Sequence, residues 1–393
     1  MILVKGSLIE AVGTEREISD SLRKLATLID LSAYAVLPGL VDAHTHLLSE
    51  SKIYPNNTDP ALAYLREVNL RSDALRALYG ASRAKAALEA GITAVQDLGN
   101  SGLFGDVALR DAISLGYVPG PRMRCSGPGL ATQGGQLPGL IYEQQHLASR
   151  EYRIVKGAAD AVQAVRENVT QKADVIKIYA DNQPNVTQLS LEEIKAITAE
   201  AHRYGIRVTA HATTNEAVYN AVQGGVDAIE HGYQMDDTTM QLMAKKGVVW
   251  VPTFADSTTF VKGMGLFRPG NTNLGQAASS RIKSIGSSLQ KGLKYGVTMA
   301  AGADDYSTLG MPYGEAFKRT LGAYVRGGMT IPQALQTATT AAAKHLRWEN
   351  RIGVLKKGAW ADIIAVDTGL PESIEALLTT QFVMKGGNII VSK

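Results

Sequence analysis

The chain has 393 residues, of which 45% are hydrophobic and 20% are charged, as in an ordinary soluble globular protein. Its net charge of +3 comes without a basic run or an RNA-binding signature, so no nucleic-acid partner is expected. The single cysteine, Cys125, excludes a disulfide within the chain and is interpreted as a small apolar residue of a strand. No apolar run reaches the ~18 residues of a membrane span and no export signal is visible, which predicts a cytoplasmic protein without a membrane partner.

Short strand-like segments recur along the chain, and alanine-rich helical segments that often end in glycine separate most of them. The predicted strands are residues 36–46, 91–97, 122–126, 174–179, 207–211, 228–231, 248–254 and 297–301. Eight strands alternating with helices predict an α/β fold with a parallel sheet, and eight is the number that closes a (β/α)8 TIM barrel. We therefore expect a barrel over residues 37–351.

The two ends of the chain have a different pattern, with short strands and glycine turns. Neither residues 1–36 nor residues 352–393 are numerous enough to bury a core of their own, so we expect them to pair as one small β-sandwich domain. Residues 255–295 are rich in glycine and serine, with amphipathic pieces. They are expected to form loop and helix over the barrel mouth.

Polar side chains gather near the end of the first predicted strand. Asp42, His44 and His46 alternate along the chain, so they share one face of the strand. In a barrel this face points inward near the C-terminal rim, where barrel enzymes keep their active sites. Two imidazoles on one face are suitable zinc ligands, and Asp42 is a candidate for orienting one of them. This pattern alone is weak evidence for a metal site, because two histidines that are hydrogen-bonded within a protein core have the same spacing.

Later strands repeat the pattern. Lys177 stands between Ile176 and Ile178, and if these isoleucines face the helices, its ammonium points into the barrel, where burial lowers the pKa. The following strands end in His211, His231, and the pair Asp304 and Asp305. Such a set at matching strand ends indicates a metal site, although an ion pair between Lys177 and a barrel carboxylate stays open. The remaining histidines are interpreted as solvated or capping residues: His146, His202 and His345.

Two motifs carry a family resemblance. The segment VLPGLVDAHTHL, residues 36–47, is similar to the first-strand motif of the amidohydrolase superfamily, and GVLKKGAWADIIAVD, residues 353–367, matches its C-terminal signature. The chain resembles, over essentially its whole length, the group that includes imidazolonepropionase-like proteins, prolidase-type dipeptidases and arginine carboxypeptidases.

The resemblance implies a binuclear metal centre. Carried over residue by residue, the more buried divalent cation takes His44, His46 and Asp304, the second takes His211 and His231, and a carboxylated Lys177 bridges them. The expected metal is zinc. Two-metal hydrolytic sites hold their cations ~3.5–4 Å apart, and a hydroxide between them would attack the scissile carbonyl. Asp304, which would pass the proton to the leaving amine, and His211 are the candidate catalytic residues.

The loops that would meet the substrate differ from those of prolidase-like members. Gln136, in ATQGGQLPG, stands where those members carry a histidine, and Thr213 stands where they often carry a tyrosine. After the lysine strand, ADNQPN replaces their short glycine-containing stretch. These differences leave the expected metal ligands unchanged. They put in doubt whether the substrate is a dipeptide. We expect the glycines around Gln136 to give a flexible lid.

Three residues are candidates for contacting the substrate: Gln136, Tyr179 and Tyr233. Tyr179 shares the inward face of its strand with Lys177. Tyr233 follows His231 and Gly232, and is either an oxyanion donor or a rim aromatic. Arg122 and Arg124 are weaker candidates for reaching a substrate carboxylate.

The favoured function is hydrolysis of an amide bond in a small molecule, such as a dipeptide or an N-acyl amino acid, by a homo-oligomeric enzyme. A second hypothesis is hydrolysis of a non-peptide amide, carbamate, urea or ester. A deaminase would be expected to lack Lys177. A non-catalytic assembly protein that kept the fold would be expected to have lost metal ligands.

Overall fold

The computed structural model describes residues 1–18, 20–50, 60–137, 139–183, 185–267, 273–306 and 310–393. Its strands are β1 (Ile2–Lys5), β2 (Leu8–Val12), β3 (Ala35–Pro38), β4 (Leu40–Thr45), β5 (Ile92–Asp97), β6 (Arg122–Cys125), β7 (Gly129–Ala131), β8 (Tyr152–Ile154), β9 (Val175–Tyr179), β10 (Asp181–Asn182), β11 (Asn185–Gln188), β12 (Arg207–Ala212), β13 (Ala228–His231), β14 (Val249–Val251), β15 (Ile363–Val366), β16 (Thr380–Lys385) and β17 (Asn388–Ser392). Its helices are α1 (Asp20–Leu25), α2 (Pro60–Leu70), α3 (Asp73–Glu89), α4 (Gly105–Ser114), α5 (Ala158–Thr170), α6 (Leu191–Arg203), α7 (Asn215–Gly224), α8 (Asp237–Lys246), α9 (Ser257–Phe267), α10 (Leu274–Tyr295), α11 (Glu315–Arg326), α12 (Ile331–Thr337) and α13 (Thr340–His345). Within these ranges, every helix is too short or too polar to span a bilayer.

The strands that carry the predicted ligands run parallel, which confirms the α/β class. One parallel sheet has the order β14-β13-β12-β9-β7-β8, and a second contains β4, β5 and β6. Every residue of β4, β5 and β9 is buried. Burial on both faces explains why these strands are almost continuously apolar in sequence.

Backbone hydrogen bonds connect the edges of the two parallel sheets. The amide of Asp174, next to β9, donates to the Cys125 carbonyl of β6 over 2.7 Å. At the other edges, the amide of Ala300 donates to Trp250 of β14 over 3.0 Å, and the amide of Ala43 of β4 donates to Ala301 over 2.8 Å. Residues 297–301, predicted as a strand, form an isolated bridge between Met299 and Trp250 instead of a regular ladder.

A glycine lets this last segment approach β4. A Cβ on Gly302 would lie 2.6 Å from the Cβ of His44 and 2.7 Å from Cγ1 of Val251, which real side chains do not tolerate. Two residues later, the amide of Asp304 donates to the carbonyl of His44 over 2.8 Å. Gly302 therefore allows Asp304 to reach the end of β4.

The two ends of the chain pack together. In the antiparallel sheet β17-β16-β15-β3, β3 pairs with β15 from Ala35 opposite Val366 to Pro38 opposite Ile363. The β1–β2 hairpin joins them, since the amide of Ile9 donates to Ala359 over 2.9 Å. A separate apolar cluster is buried here and includes Ile9, Ile363, Ala365, Phe382 and Met384.

The segment 255–295 is more helical than its composition suggested. It contains α9 and the 22-residue α10, and residues 268–272 between them lie outside the described part of the chain. Arg281 of α10 contacts the ring of Tyr233, which follows β13, so α10 borders the ends of the parallel strands.

Candidate metal centre

Two imidazole nitrogens and a carboxylate oxygen meet at the end of β4. Nε2 of His44 lies 3.2 Å from Nε2 of His46. Oδ1 of Asp304 lies 3.4 Å from the first nitrogen and 3.2 Å from the second. One ligand atom from each of His44, His231 and Asp304 also lies within 4.8 Å of the others. The parallel strands thus bring together residues that are far apart in sequence.

The hydrogen bonds of the two imidazoles determine which nitrogen carries the lone pair. Nδ1 of His44 faces Oε2 of Glu230 at 2.6 Å, and Nδ1 of His46 faces the Gly99 carbonyl at 2.8 Å. Carboxylate and carbonyl oxygens only accept, so each Nδ1 donates its hydrogen. Both Nε2 atoms therefore direct lone pairs toward each other and toward Asp304. Ligand atoms about 2.1 Å from one tetrahedral cation are about 3.4 Å apart, so this donor set fits a divalent metal.

A second pair of histidines lies beside the first. The rings of His211 and His231 are 4.4 Å apart, and the ring of His231 is 5.2 Å from that of His44. Nε2 of His211 lies 3.2 Å from Oδ1 of Asp181 and 3.1 Å from Nε2 of Gln136. Nδ1 of His231 lies 2.8 Å from Oγ1 of Thr253.

Lys177 points into the interior next to these histidines. It is 1% exposed, and its Nζ lies 5.5 Å from the ring centroid of Tyr179. Burial lowers the pKa of Lys177 to about 8, although the charges of Glu230 and Asp304 oppose this shift. No carboxylate of a described residue lies within 4.0 Å of Nζ, so the ion pair left open by the sequence is not formed among those residues.

Two residues of the centre have left-handed backbone conformations. His231 has a φ of 73° and Asp304 a φ of 52°. Residues other than glycine rarely adopt such angles, and they do so mostly where the surrounding structure requires it, as at functional sites. At His231 the change of direction ends β13.

The electrostatics favour the ligand forms of these groups. Burial lowers the pKa of His44 and of His231 well below the ordinary value, so both imidazoles are neutral at pH 7. Burial raises the pKa of Asp304, but His44 and His46 outweigh it and bring the pKa to about 2. Burial lowers the pKa of His46, but the hydrogen bond with Asp304 and the negative charges of Asp304 and Asp97 together outweigh burial and raise the pKa.

The three predicted substrate residues surround the histidines. Nε2 of the half-buried Gln136 lies 3.1 Å from Nε2 of His211. The ring of buried Tyr179 is 5.3 Å from that of His211, and its hydroxyl donates to Asn100 over 3.3 Å. The hydroxyl of Tyr233 is 3.4 Å from Nδ1 of His231, and the residue is 38% exposed. Of the two tyrosines, Tyr233 therefore reaches solvent, whereas Tyr179 is buried.

Hydrogen bonds connect the glycine loop around Gln136, which the sequence predicts as a flexible lid, to the hairpin after β9. Nδ2 of Asn185, in the hairpin after β9, donates to the carbonyls of Gly135 over 2.6 Å and Leu137 over 3.1 Å. The hydroxyl of Thr132 also donates to Thr187 over 2.9 Å. The loop and the hairpin are the segments whose sequences depart from prolidase-like members, and they contact each other.

Two acidic residues of the centre were missed by sequence reasoning. Glu230 is fully buried and holds His44. Oδ1 of Asp181 lies 3.2 Å from Nε2 of His211, and its Oδ2 accepts from the amides of Thr213 and Thr214. The sequence did offer a signal for Glu230, since it is an acidic residue in the otherwise apolar strand segment that precedes His231. Asp42, predicted to orient an imidazole, instead accepts from the backbone amides of His44 and Ala303, each over 3.1 Å.

Three further interpretations were wrong. Arg122 forms a two-bond pair with Asp362, and Arg124 pairs with Asp174 at 3.1 Å, so neither guanidinium is available to a substrate carboxylate. His345 is 3% exposed, and its Nε2 lies 3.0 Å from the amide of Gln96. It is a core histidine, and burial lowers its pKa to about 4.

Comparison with known proteins agrees with this geometry. Residues 35–391 match the model of the Amidohydrolase family, so the chain belongs to that family. Ochratoxinase from Aspergillus niger is 28% identical over 415 aligned residues, which cover 99% of this chain and 82% of ochratoxinase.

Solved structures agree over the same span. The crystal structure of A. niger ochratoxinase has a TM-score of 0.78 at 26% identity, covering 99% of this chain and 91% of that one. A Xaa-Pro dipeptidase with bound methionine in its active site has a TM-score of 0.81 at 28% identity, covering 99% and 94%. A prolidase complexed with N-methylphosphonate-L-proline has a TM-score of 0.81 at 27% identity, covering 100% and 94%. The family and these relatives support a hydrolase.

Proposed function

We propose that this protein is a binuclear metal-dependent hydrolase that cleaves an amide bond of a small molecule, of the dipeptide or N-acyl amino acid type. One observation carries the proposal: the lone pairs of His44 and His46 converge on Oδ1 of Asp304 at 3.2–3.4 Å. Two imidazole nitrogens and a carboxylate oxygen within 3.4 Å of one another, on residues far apart in sequence, form the kind of donor set that holds a divalent cation.

The donors divide between two cations. His44, His46 and Asp304 would hold one, His211 and His231 would hold the other, and Lys177 would bridge them. Neutral imidazole nitrogens and carboxylate oxygens suit zinc. When bound, the cations would polarise a substrate carbonyl and lower the pKa of a water molecule.

Lys177 would act as a carbamate. The neutral amine adds to the carbon of CO2 and loses a proton, which converts a cation into an anion with two oxygen ligands. Two features support this step: Lys177 is buried with a pKa of about 8, and no ion pair holds its Nζ among the described residues. An uncompensated buried ammonium is costly, so its conversion is favoured next to two cations.

Asp304 would move the proton. Its side chain is 20% exposed, whereas those of His44 and His231 are 1% and 5% exposed, so it has the better access to an incoming water. As a carboxylate it would accept the proton of the water whose oxygen bonds to the carbonyl carbon. The same proton would then go to the leaving amine nitrogen as the C–N bond breaks.

Tyr233 would stabilise the charge that develops on the carbonyl oxygen. Its hydroxyl lies at the exposed edge of the centre, 3.4 Å from Nδ1 of His231 and 3.0 Å from Oγ1 of Thr253. A tyrosine ordinarily has a pKa of about 10, so the hydroxyl keeps its hydrogen at neutral pH and is able to donate it. Gln136 and Tyr179 would line the substrate cavity on the side of His211.

The same proposal includes the domain organisation. The parallel strands would close into a (β/α)8 barrel over residues 37–351, and residues 1–36 and 352–393 would form a β-sandwich domain. The hydrogen bonds of Ala300 to Trp250 and of Ala43 to Ala301 support closure. The pairing of β3 with β15 supports a domain built from both ends of the chain.

A second candidate function is hydrolysis of a non-peptide amide, carbamate, urea or ester. It is favoured by Gln136, a neutral amide 3.1 Å from His211 at a position where prolidase-like members carry a histidine. A different polar group at this position changes which substrate atoms find a hydrogen-bond partner, while the metal ligands stay the same.

Metal analysis combined with a substrate panel tests the proposal. Protein purified without added metal should contain about two zinc ions per chain and should hydrolyse dipeptides or N-acyl amino acids in preference to aryl carbamates. Preference for the carbamates selects the second candidate. One metal ion per chain with release of ammonia indicates a deaminase, and a metal-free, inactive protein indicates a non-catalytic scaffold.

A further inference from the structure

A guanidinium without an anionic partner borders the candidate metal centre. Arg281, on α10, places its Cζ 5.7 Å from the ring centroid of Tyr233 and 5.3 Å from that of Phe260. Its Nε is buried and has no hydrogen-bond acceptor. A buried donor of a charged group without an acceptor costs free energy, so the arrangement needs an explanation beyond stacking.

Two carboxylates on neighbouring segments, those of Asp256 and Asp304, have other partners. Asp256, one turn before Phe260, lies 3.2 Å from Nη2 of Arg326. Asp304 faces the metal-site histidines. Arg281 forms no ion pair within 4.0 Å among residues of the described ranges, so its positive charge is available to a ligand.

Arg281 is also close to the place where the reaction would occur. The ring of Tyr233, over which it lies, is 5.5 Å from the ring of His231. In an N-acyl amino acid or a dipeptide, the terminal carboxylate lies two bonds from the scissile nitrogen. A substrate whose carbonyl lies between His231 and Tyr233 is therefore able to direct that carboxylate toward α10.

We propose that Arg281 forms an anion subsite that binds the carboxylate of the leaving amino acid, and that the substrates of this enzyme are acylated amino acids carrying a free carboxylate. This inference rests on the proposed function. The guanidinium offers two parallel N–H donors to a carboxylate, which gives both affinity and orientation. The rings of Tyr233 and Phe260 add a cation–π contribution to its position.

Binding tests the subsite independently of catalysis. We would titrate the zinc-loaded protein with 3-phenylpropanoate and with its neutral analogue 3-phenylpropanamide, using wild type, Arg281→Gln and Lys283→Gln. Lys283 is exposed on the same helix, so its variant removes the same charge away from the site. Arg281→Gln should weaken 3-phenylpropanoate binding by about 10- to 100-fold and leave 3-phenylpropanamide unchanged. The subsite is overturned if Arg281→Gln binds 3-phenylpropanoate as tightly as wild type does, or if wild type does not bind it.

Kinetics separate the subsite from the hydrolase. With N-acetyl-L-phenylalanine, Arg281→Gln should raise KM by a similar factor and largely keep kcat, whereas N-acetylphenethylamine, which lacks the carboxylate, should be unaffected. An equal loss on both compounds overturns the subsite while leaving the hydrolase intact. If wild type hydrolyses neither compound but the binding difference is present, the subsite stands and the proposed function fails.

Discussion

Glu230 holds His44 through a 2.6 Å contact between Oε2 and Nδ1, and both residues are buried almost completely. The other oxygen of Glu230 accepts from the hydroxyl of Thr209, so the carboxylate has a fixed orientation. A carboxylate behind a ligating histidine fixes its tautomer and makes its free nitrogen more basic. Glu230 is therefore expected to tune the metal centre without touching a metal.

Glu230→Gln should lower metal affinity by about 10- to 100-fold, because the amide keeps the shape of the side chain but loses its charge. Competition between the protein and a chelator of known zinc affinity measures the change. Glu216→Gln, on the exposed side of α7, is the matched control and should have no effect. Equal affinities for wild type and Glu230→Gln would show that Glu230 does not support a ligand.

Lys177→Met should stabilise the metal-free protein at pH 7 while abolishing activity. The pKa of Lys177 is about 8 in the folded chain and about 10.4 in an unfolded one, so below pH 8 the folded state has the full cost of a buried ammonium. From pH 8 to about 10.4 the folded lysine is neutral while the unfolded one still holds its proton, so wild-type stability rises with pH.

The advantage of Lys177→Met should thus be largest below pH 8, up to about 3 kcal/mol, and should fall toward zero by about pH 10.4. Urea unfolding of both proteins, stripped of metal and kept free of CO2, measures the difference across this range. Other buried lysines titrate in both proteins, so their contributions cancel in the difference between the two unfolding free energies. A difference that does not change with pH would contradict the buried ammonium.

His211→Asn should reduce kcat by orders of magnitude while the circular dichroism spectrum stays unchanged, since the residue ends a strand but would hold a cation. Asp181→Asn should have a smaller effect, about 10- to 100-fold, because it acts through His211. His202→Asn provides the control, since His202 is exposed and pairs with Asp227. Near-normal turnover of His211→Asn would refute its assignment as a ligand.

Gly302→Ala should displace the segment that carries Asp304. Its new Cβ would lie 2.6 Å from His44 Cβ and 3.0 Å from the His44 amide, and overpacking of this kind costs about 1–3 kcal/mol. Thermal unfolding and zinc content should both fall. Gly275→Ala is the same substitution at an exposed position with no atom within 4 Å, and it should leave both unchanged. Normal zinc content in Gly302→Ala would mean that Asp304 does not need this approach.

The alternation of side chains along strands accounts for what could be predicted from the sequence. It predicts that His44, His46 and Lys177 face inward, and the structure buries all three and brings Nε2 of His44 to 3.2 Å from Nε2 of His46. The same rule fails for Glu230 and His231, which are neighbours and should face opposite sides. The φ of 73° at His231 breaks the alternation and lets both side chains reach the metal centre. No local sequence pattern predicts such an angle.

Features that depend on distant packing were not predictable in this way. His345 was interpreted as a solvated helix residue, but α13 packs against β4 and buries it beside Gln96. Arg122 and Arg124 lie in one strand, and only the fold shows that Asp362 and Asp174 neutralise them. The positions of Arg281 and Asp181 likewise follow from contacts between elements that are far apart in sequence.

The central claim is that six side chains hold two cations, and anomalous diffraction tests it most directly. Data collected on either side of the zinc absorption edge, from crystals grown with zinc and bicarbonate, should show two peaks about 3.5–4 Å apart, with Lys177 carrying extra density that contacts both. No peak beside His44 and His46, or a single peak with an unmodified Lys177 directed elsewhere, would contradict the account.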